Sequence, residues 1–290
     1  MTDWLTERFE ENRTHLRNVA YRMLGSLDDA DDAVQEAWLR LSQQKSGGIE
    51  NLGGWLTTVV GRICIDMLRA RRAKREEPLA PTIPDFIVSR EESPEDEVLT
   101  ADSVGLALLV VLDSLTPPER LAFVLHDMFA MPFEEIASIV GKSPVAARQL
   151  ASRARRRVQG ATPPSTGFAQ RRAVVDAFIA AAREGNFEAL MAVLDPDVLL
   201  LADREPAAKG IHGAHAVASQ AVTFSTRLVQ DLEPVMVNGS PGIVSWLPNR
   251  EPLAVLGFVI ANDRIREMYV ISAPDRVRQL LGLSSEESEK

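Results

Sequence analysis

Apolar residues in the N-terminal half recur at helical spacing. Leu16, Val19, Ala20 and Met23 share one face of a helix over Trp4 to Leu24, and Gly25 follows its end. Ala30, Ala33, Val34, Ala37 and Leu41 do the same for a second helix, opened by Ser26 or Asp28. Gln43 to Gly54 reads as a loop, marked by Gly47-Gly48 and Gly53-Gly54. Leu56, Val59, Val60, Ile63 and Met67 then predict a third helix from Trp55. Pro78 to Pro94, with Pro81 and Pro84 between, is a linker that proline and acidic residues keep extended. A helix from about Pro94 to Leu112 follows.

Thr116 to Val158 predicts three helices. Thr116 and Glu119 have the spacing of a capping box, with Pro117 at the first helical position. Leu121, Val124, Leu125 and Met128 line that helix. Phe133, Ile136, Ala137 and Val140 line the next, which Gly141 ends in a left-handed turn. Ser143 caps the third helix, with Pro144 at its first position. Its apolar stripe is Ala147, Leu150, Ala151, Ala154 and Val158, and Arg148, Gln149, Ser152, Arg153, Arg155 and Arg156 fall outside the stripe. A short helix, a turn and an Arg-rich helix form a helix-turn-helix arrangement. Such a second helix enters the major groove, where Arg reads guanine and Gln reads adenine. A bundle with a solvated basic face is the plainer reading. It fits less well because no acid occurs between Lys142 and Arg172.

The pattern changes after Ala161 to Gly167, a Pro- and Ser-containing second linker and domain boundary. Helices are expected over Gln170 to Arg183, Glu188 to Leu194 and Gly213 to Phe224. Strands are expected at Asp197 to Ala202, Pro234 to Val237, Gly242 to Leu247, Leu253 to Ile260 and Ile265 to Val270. Asn238-Gly239 and Asn262-Asp263 supply turns. A last helix covers Pro274 to Leu281, before a polar tail over 284–290. Helices followed by an antiparallel meander predict an α+β layered domain.

Charge sharpens this picture. The net charge of −9 disfavours indiscriminate binding to nucleic acid. Its distribution matters more. Arg62, Arg69, Arg71, Arg72, Lys74 and Arg75 face only Asp66, whereas the segment from Glu76 to Asp102 is acidic apart from Arg90. The basic end of the third helix exceeds what the helix dipole accounts for and reads as a phosphate-contacting surface. Asp28, Asp29, Asp31 and Asp32 suit the dipole at the start of the second helix. Gln35, Glu36 and Trp38 extend them into a surface suited to a basic protein partner. Naked DNA should therefore be bound weakly, with help from a partner. Cys64 is the only cysteine, so no intramolecular disulfide and no cysteine zinc site is expected. The start of the chain lacks the apolar core of a signal peptide, and no apolar run is long enough to span a bilayer. A cytoplasmic protein is expected.

Asp29-Ala30-Asp31-Asp32-Ala33-Val34-Gln35-Glu36-Ala37-Trp38-Leu39-Arg40 resembles the polymerase-binding helix of bacterial sigma factors. Trp55-Leu56, Asp66, Leu68, Arg69 and the basic tail resemble the promoter-melting segment, and Ser143 to Val158 the promoter-reading helix. Their order, without a middle domain, is similar to that of extracytoplasmic-function (ECF) sigma factors. The final domain looks like a SnoaL-like, NTF2-type cone, as in the SigJ type of that family. The resemblance implies a multidomain chain: a σ2 domain over 1–76, an acidic linker over 77–103 and a σ4 helix-turn-helix domain over 104–160. A linker over 161–167, the cone over 168–283 and the tail follow. It also implies that Asp29, Asp32, Gln35, Glu36 and Trp38 bind core RNA polymerase at the clamp helices of its largest subunit. By the same resemblance Arg62, Arg69, Arg71, Arg72 and Arg75 serve the −10 element, and Arg148, Gln149, Ser152, Arg153, Arg155 and Arg156 the −35 element. Arg62 stands where family members often have Asn. A motif of the Asn-Pro-Asp-Lys-Leu kind that affects activity in the group corresponds to Ala273-Pro274-Asp275-Arg276-Val277, which makes Pro274, Asp275 and Arg276 regulatory candidates. A glycine-rich motif expected around Asp203 to Lys209 is not evident.

The leading expectation is an alternative sigma factor modulated in cis by its cone, with no enzymatic activity, catalytic residue, metal or cofactor. The cone could hold a small-molecule ligand. A one-component regulator, with a ligand-binding cone and an operator-binding helix-turn-helix, would need no polymerase-binding helix. A cyclase- or isomerase-like cone would need a buried base facing an oxyanion donor. Asp203, His212, His215, Trp246 and Tyr269 are the candidates, none with diagnostic spacing.

Overall fold

A computed structural model describes residues 2–44, 49, 51–74, 83–90, 105–161, 167–204, 210–227 and 231–283. Outside these lie most of the linker between the sigma-like halves, the start of the helix expected from Pro94, Arg75, residues 205–209, most of the second linker and the tail. The chain divides into two compact units, one of residues 1–78 and 108–162, the other of 79–107 and 163–290.

In the first unit, helices α1 (Thr2–Leu24), α2 (Leu27–Ser42) and α3 (Leu52–Lys74) pack on one another. Leu16, Met23, Val34, Leu41, Leu56 and Val60 are buried between them. Helix α3 begins earlier than the expected Trp55. The Asn51 side chain accepts a hydrogen bond from the Gly54 amide at 3.0 Å, an N-cap that overrides the Gly-Gly signal. Helix α4 (Leu106–Ser114) leads into α5 (Pro117–Phe123), where the Thr116 amide and hydroxyl both donate to Glu119, at 3.2 and 2.7 Å. The helix continues as a π-helical turn, Val124–Met128. The helix-turn-helix is α6 (Phe133–Val140) and α7 (Pro144–Ala161). Gly141 has φ +65°, a left-handed end that glycine adopts without strain. The Ser143 hydroxyl accepts from the Ala146 amide at 3.2 Å, the cap expected there.

The helix-turn-helix half lies directly against α3. Gly61 is the point of closest approach: a Cβ there would sit 3.3 Å from Leu121 Cδ1, 3.6 Å from Leu125 Cδ1 and 3.7 Å from Ile139 Cδ1. Arg120 is buried beside this seam. Its Nε donates to the Arg22 carbonyl at 3.3 Å and its Nη1 pairs with Asp113 at 3.3 Å. Burial lowers its guanidinium to about 10, against the opposing pull of Asp113.

In the second unit, α8 (Phe168–Glu184), α9 (Phe187–Val193) and α10 (Ala214–Arg227) pack with a seven-stranded sheet. Its strands are β1 (Val88–Ser89), β2 (Leu194–Ala202), β3 (Ile211–His212), β4 (Asp231–Val237), β5 (Ser240–Trp246), β6 (Pro252–Ala261) and β7 (Arg264–Ile271). Their order is β1-β4-β5-β6-β7-β2-β3. The chain then forms α11 (Pro274–Leu280). Asn238 and Gly239 (φ +50° and +71°) and Asn262 and Asp263 (φ +51° and +58°) make the hairpin turns, as the sequence signals. The core includes Val175, Phe178, Leu190, Leu194, Val217, Ile243 and Phe258. This is the helix-plus-sheet domain expected of the cone, with differences, the short strand β3 among them. The sheet is mixed, because β2 runs parallel to β7. The linker also supplies a strand.

That strand departs from the extended linker expected between the halves. Residues 83–90 lie on the sheet, with Val88 and Ser89 paired antiparallel to Val237 and Met236. The Ile87 amide donates to Asn238 Oδ1 at 2.7 Å, and the Asn238 amide donates to the Ile87 carbonyl at 2.9 Å. Phe86 is fully buried. It sits over Gly257, where a Cβ would come within 3.2 Å of its ring and 2.8 Å of Leu106. Pro84 and the two-residue strand hid this element, because strand periodicity needs a longer run to register.

Candidate nucleic-acid interface

Helix α7 presents Arg148, Gln149, Ser152, Arg153 and Arg156 to solvent at helical spacing along one face. Val145, 61% exposed, heads that face. It escaped the charge-based reading, yet an exposed apolar side chain near the start of such a helix suits a thymine methyl. Arg148 also lies over the Phe133 ring, 5.2 Å from its centroid. Arg155 departs from the expected surface: it is half-buried and ion-paired with Asp127 of the π-helical turn. Arg157, not singled out from sequence, pairs with Glu119 at 3.1 Å. Burial alone would raise the Glu119 carboxyl. The Thr116 hydrogen bonds and the Arg157 and Arg153 charges together outweigh it and hold the group below its ordinary value. Arg155 and Arg157 thus fasten α7 to its support while the other face stays open.

The cations of α3 are differently placed. The Arg62 guanidinium donates to the Ser138 carbonyl at 3.3 Å, and Arg72 to the Leu115 carbonyl at 2.8 Å. Arg71 donates to the Leu24 carbonyl at 3.2 Å and is ion-paired with Asp29. Arg69 meets Asp66 at 3.5 Å on the surface. Arg62, Arg71 and Arg72 are therefore engaged inside the unit in this conformation. Arg75 lies outside the described residues.

On α2, Asp32 and Gln35 are exposed, and Glu36, half-exposed, pairs with Arg40 at 3.0 Å. Asp29 is half-buried through Arg71. Trp38 also turns partly inward, its ring 5.0 Å from that of Phe9. Leu39, 46% exposed, takes the outward apolar position that sequence reading gave to Trp38.

In the second unit, Arg276 Nη2 donates to Asp85 Oδ1 at 2.7 Å, and its Nη1 lies 3.5 Å from Asp203 Oδ2. Asp203, with a side chain only 7% exposed, accepts from the Ser272 amide at 2.8 Å, the Ser272 hydroxyl at 3.1 Å and the Ala273 amide at 3.2 Å. Asp275 and Pro274 are exposed at the start of α11. Asp203 is thus an anchor for the Arg276 segment. Of the other enzyme candidates, Trp246 donates to Glu233 at 2.8 Å, Tyr269 to Glu267 at 2.7 Å, and His215 packs edge-on to Phe187. His212 lies in a shallow surface pocket with His215. A separate apolar cavity of about 160 Å³ opens between α8, α10 and the sheet, and none of these five residues lines it.

Residues 8–74 match Sigma-70 region 2 and residues 105–158 match Sigma-70, region 4. The α2–α3 and α6–α7 surfaces therefore belong to a sigma-70-type initiation factor. A probable ECF RNA polymerase sigma factor, SigI of Mycobacterium tuberculosis H37Rv, is 35% identical over 97% of this chain and 98% of its own length. The ECF RNA polymerase sigma factor SigJ of the same strain is 38% identical over 92% and 91%. The crystal structure of M. tuberculosis SigJ superposes with a TM-score of 0.72 at 32% identity, covering 93% of this chain and 97% of that one. The chain belongs to the ECF RNA polymerase sigma factors. It is an alternative sigma factor that directs transcription through core RNA polymerase and promoter DNA. No helix among the described residues is long and apolar enough to cross a membrane.

Proposed function

We propose that the C-terminal domain modulates this sigma factor in cis by gripping the segment that joins its two sigma regions. The Arg276 bridge from Asp203 to Asp85 carries the reading. Asp85 belongs to the stretch between the regions, and Arg276 to the motif expected to be regulatory. Phe86 and β1 extend the grip along the sheet. Pro274 starts α11 and Asp275 flanks the arginine, so the motif sets the direction from which Arg276 reaches the linker.

In this reading the α2 face of Asp32, Gln35, Glu36 and Leu39, backed by Asp29 and Trp38, docks on the clamp helices of the polymerase's largest subunit. Arg62, Arg69, Arg71, Arg72 and Arg75 serve the −10 element. Val145, Arg148, Gln149, Ser152, Arg153 and Arg156 read the −35 element. Because Arg62, Arg71 and Arg72 hold carbonyl oxygens across or beside the α3 seam, their use on phosphates requires that seam to rearrange. An acidic protein whose cations are engaged internally binds free DNA weakly and gains affinity with polymerase. Such a factor works in the cytoplasm and needs no chemistry of its own.

Run-off transcription with core polymerase, on promoter fragments retained by the holoenzyme, tests the grip. Arg276→Ala should change transcript yield several-fold, most simply upward, and Arg276→Lys less. Equal yields from all three proteins would overturn cis modulation while leaving the sigma assignment intact.

A further inference from the structure

The cavity beside α8 and α10 is built to hold something. Phe178, Leu200, Leu232, Leu256 and Met268 make an apolar floor. The two hydroxyls that line it are already committed, since Ser245 donates to the Ala254 carbonyl at 3.2 Å and Ser272 to Asp203. An engineered apolar cavity of comparable size stays dry and takes up benzene. At about 160 Å³ this one accommodates a single ring. Arg204 and Gln220 stand at its mouth, and Phe224 there is 39% exposed. Among the described lining residues Arg204 is the charged one, and its guanidinium suits an anion.

We propose that this cavity binds a small single-ring organic molecule bearing an anionic oxygen group, its ring on the floor and its anion at Arg204 and Gln220. The site also has a route to the linker. Ala202 and Ser272 line it at the ends of β2 and β7, and Asp203 joins them. Ser272 donates both its amide and its hydroxyl to Asp203 Oδ1, whose partner oxygen faces Arg276. Arg204 directly follows Asp203 in the chain, so an anion held there sets like charge beside the Asp203 carboxylate, weakens the anchor of Arg276 and so loosens residues 83–90. This second half rests on the cis-modulation reading; the binding site does not.

Calorimetric titration of the full-length protein with 4-isopropylbenzoate tests the site. Binding is expected with a negative heat-capacity change. It should weaken about tenfold for neutral 4-isopropylbenzamide and for Arg204→Ala, the loss of one charge-assisted contact. Ala254→Phe should abolish binding by filling the cavity, with Ala221→Leu, from a different wall, as a check against misfolding. No binding at millimolar concentration, or binding that survives both filling variants, would overturn the site. Hydrogen exchange at the Ile87 amide tests the coupling without polymerase. Faster exchange in the bound protein supports it, and an unchanged rate at saturation overturns it. If 4-isopropylbenzoate does not bind while Arg276→Ala still alters transcription, the cavity proposal fails and cis modulation stands. If it binds while Arg276→Ala leaves transcription unchanged, the reverse holds.

Discussion

Arg276 and Asp85 stand 191 positions apart in the chain and 2.7 Å apart in space. One belongs to the last helix of the C-terminal domain, the other to the stretch between two sigma regions. The pair is partly exposed, so its own contribution is modest, about 1 kcal/mol. Asp203 behind it is more deeply committed. Removing that carboxylate leaves two backbone amides and a hydroxyl without their acceptor, at a cost of about 1–3 kcal/mol. Exchange of the Ile87 amide, which bonds Asn238, should accelerate in Arg276→Ala and more so in Asp203→Ala. An Asp203→Ala protein no faster than Arg276→Ala would show that Asp203 does not anchor the grip.

The seam at Gly61 predicts a second behaviour. Cys64 lies one helical turn further along α3 and is fully buried, and burial pushes its thiol up to about 12 despite the opposing Arg120 charge. A thiol reagent near pH 8 therefore reaches it only when the unit opens. Gly61→Leu would drive a side chain into Leu121 and Leu125, overpacking that costs about 1–3 kcal/mol. Cys64 modification should accelerate by about ten- to a hundredfold, the same free energy read as a population of open protein. Equal rates in wild type and variant would mean that the helices are not close-packed there.

On α7 the two groups of arginines should separate by readout. Arg148→Ala and Arg153→Ala should each cost about 1–3 kcal/mol in holoenzyme binding where a base is read, with altered preference at one −35 position. Arg155→Ala should leave base preference alone and lower thermal stability, because its partner is Asp127. A base-specific defect from Arg155→Ala would place that residue on DNA and refute the division.

Much of this was legible in the sequence and some was not, for physical reasons. Thr116, Gly141 and Ser143 act locally, so their caps and turn could be read directly. The α7 face follows from periodicity, but spacing alone points Arg155 outward, because it cannot reveal a distant partner such as Asp127. Trp38, expected outward, turns partly inward for the same reason: Phe9 comes from another helix. The Gly53-Gly54 break failed because Asn51 supplies a cap. Segment 83–90 was hidden most completely. Its Phe86 finds a place only because Gly257 lacks a side chain, and nothing near Phe86 in the chain records that.

Glu119 gives a pH dependence with a definite sign. Its folded carboxyl is held below the ordinary glutamate value, so its ionised bonds to Thr116 and pairing with Arg157 stabilise the unit above that value. The stabilisation is lost as pH falls through the depressed folded value. Between neutral pH and acid, wild type should lose melting temperature more steeply than Glu119→Gln, and the two curves should converge at low pH. Parallel curves would show that the carboxyl is not favoured in its charged form.

Run-off transcription by core polymerase with wild-type protein, Arg276→Ala and a chain ending at Ser272 tests the central claim most directly. The account predicts transcripts only when the factor is present, and yields that change several-fold, most simply upward, in both altered proteins as the grip on residues 83–90 is lost. Identical yields from all three, with Ile87 exchanging faster in the altered proteins, would contradict it: the grip would be released and initiation would not respond.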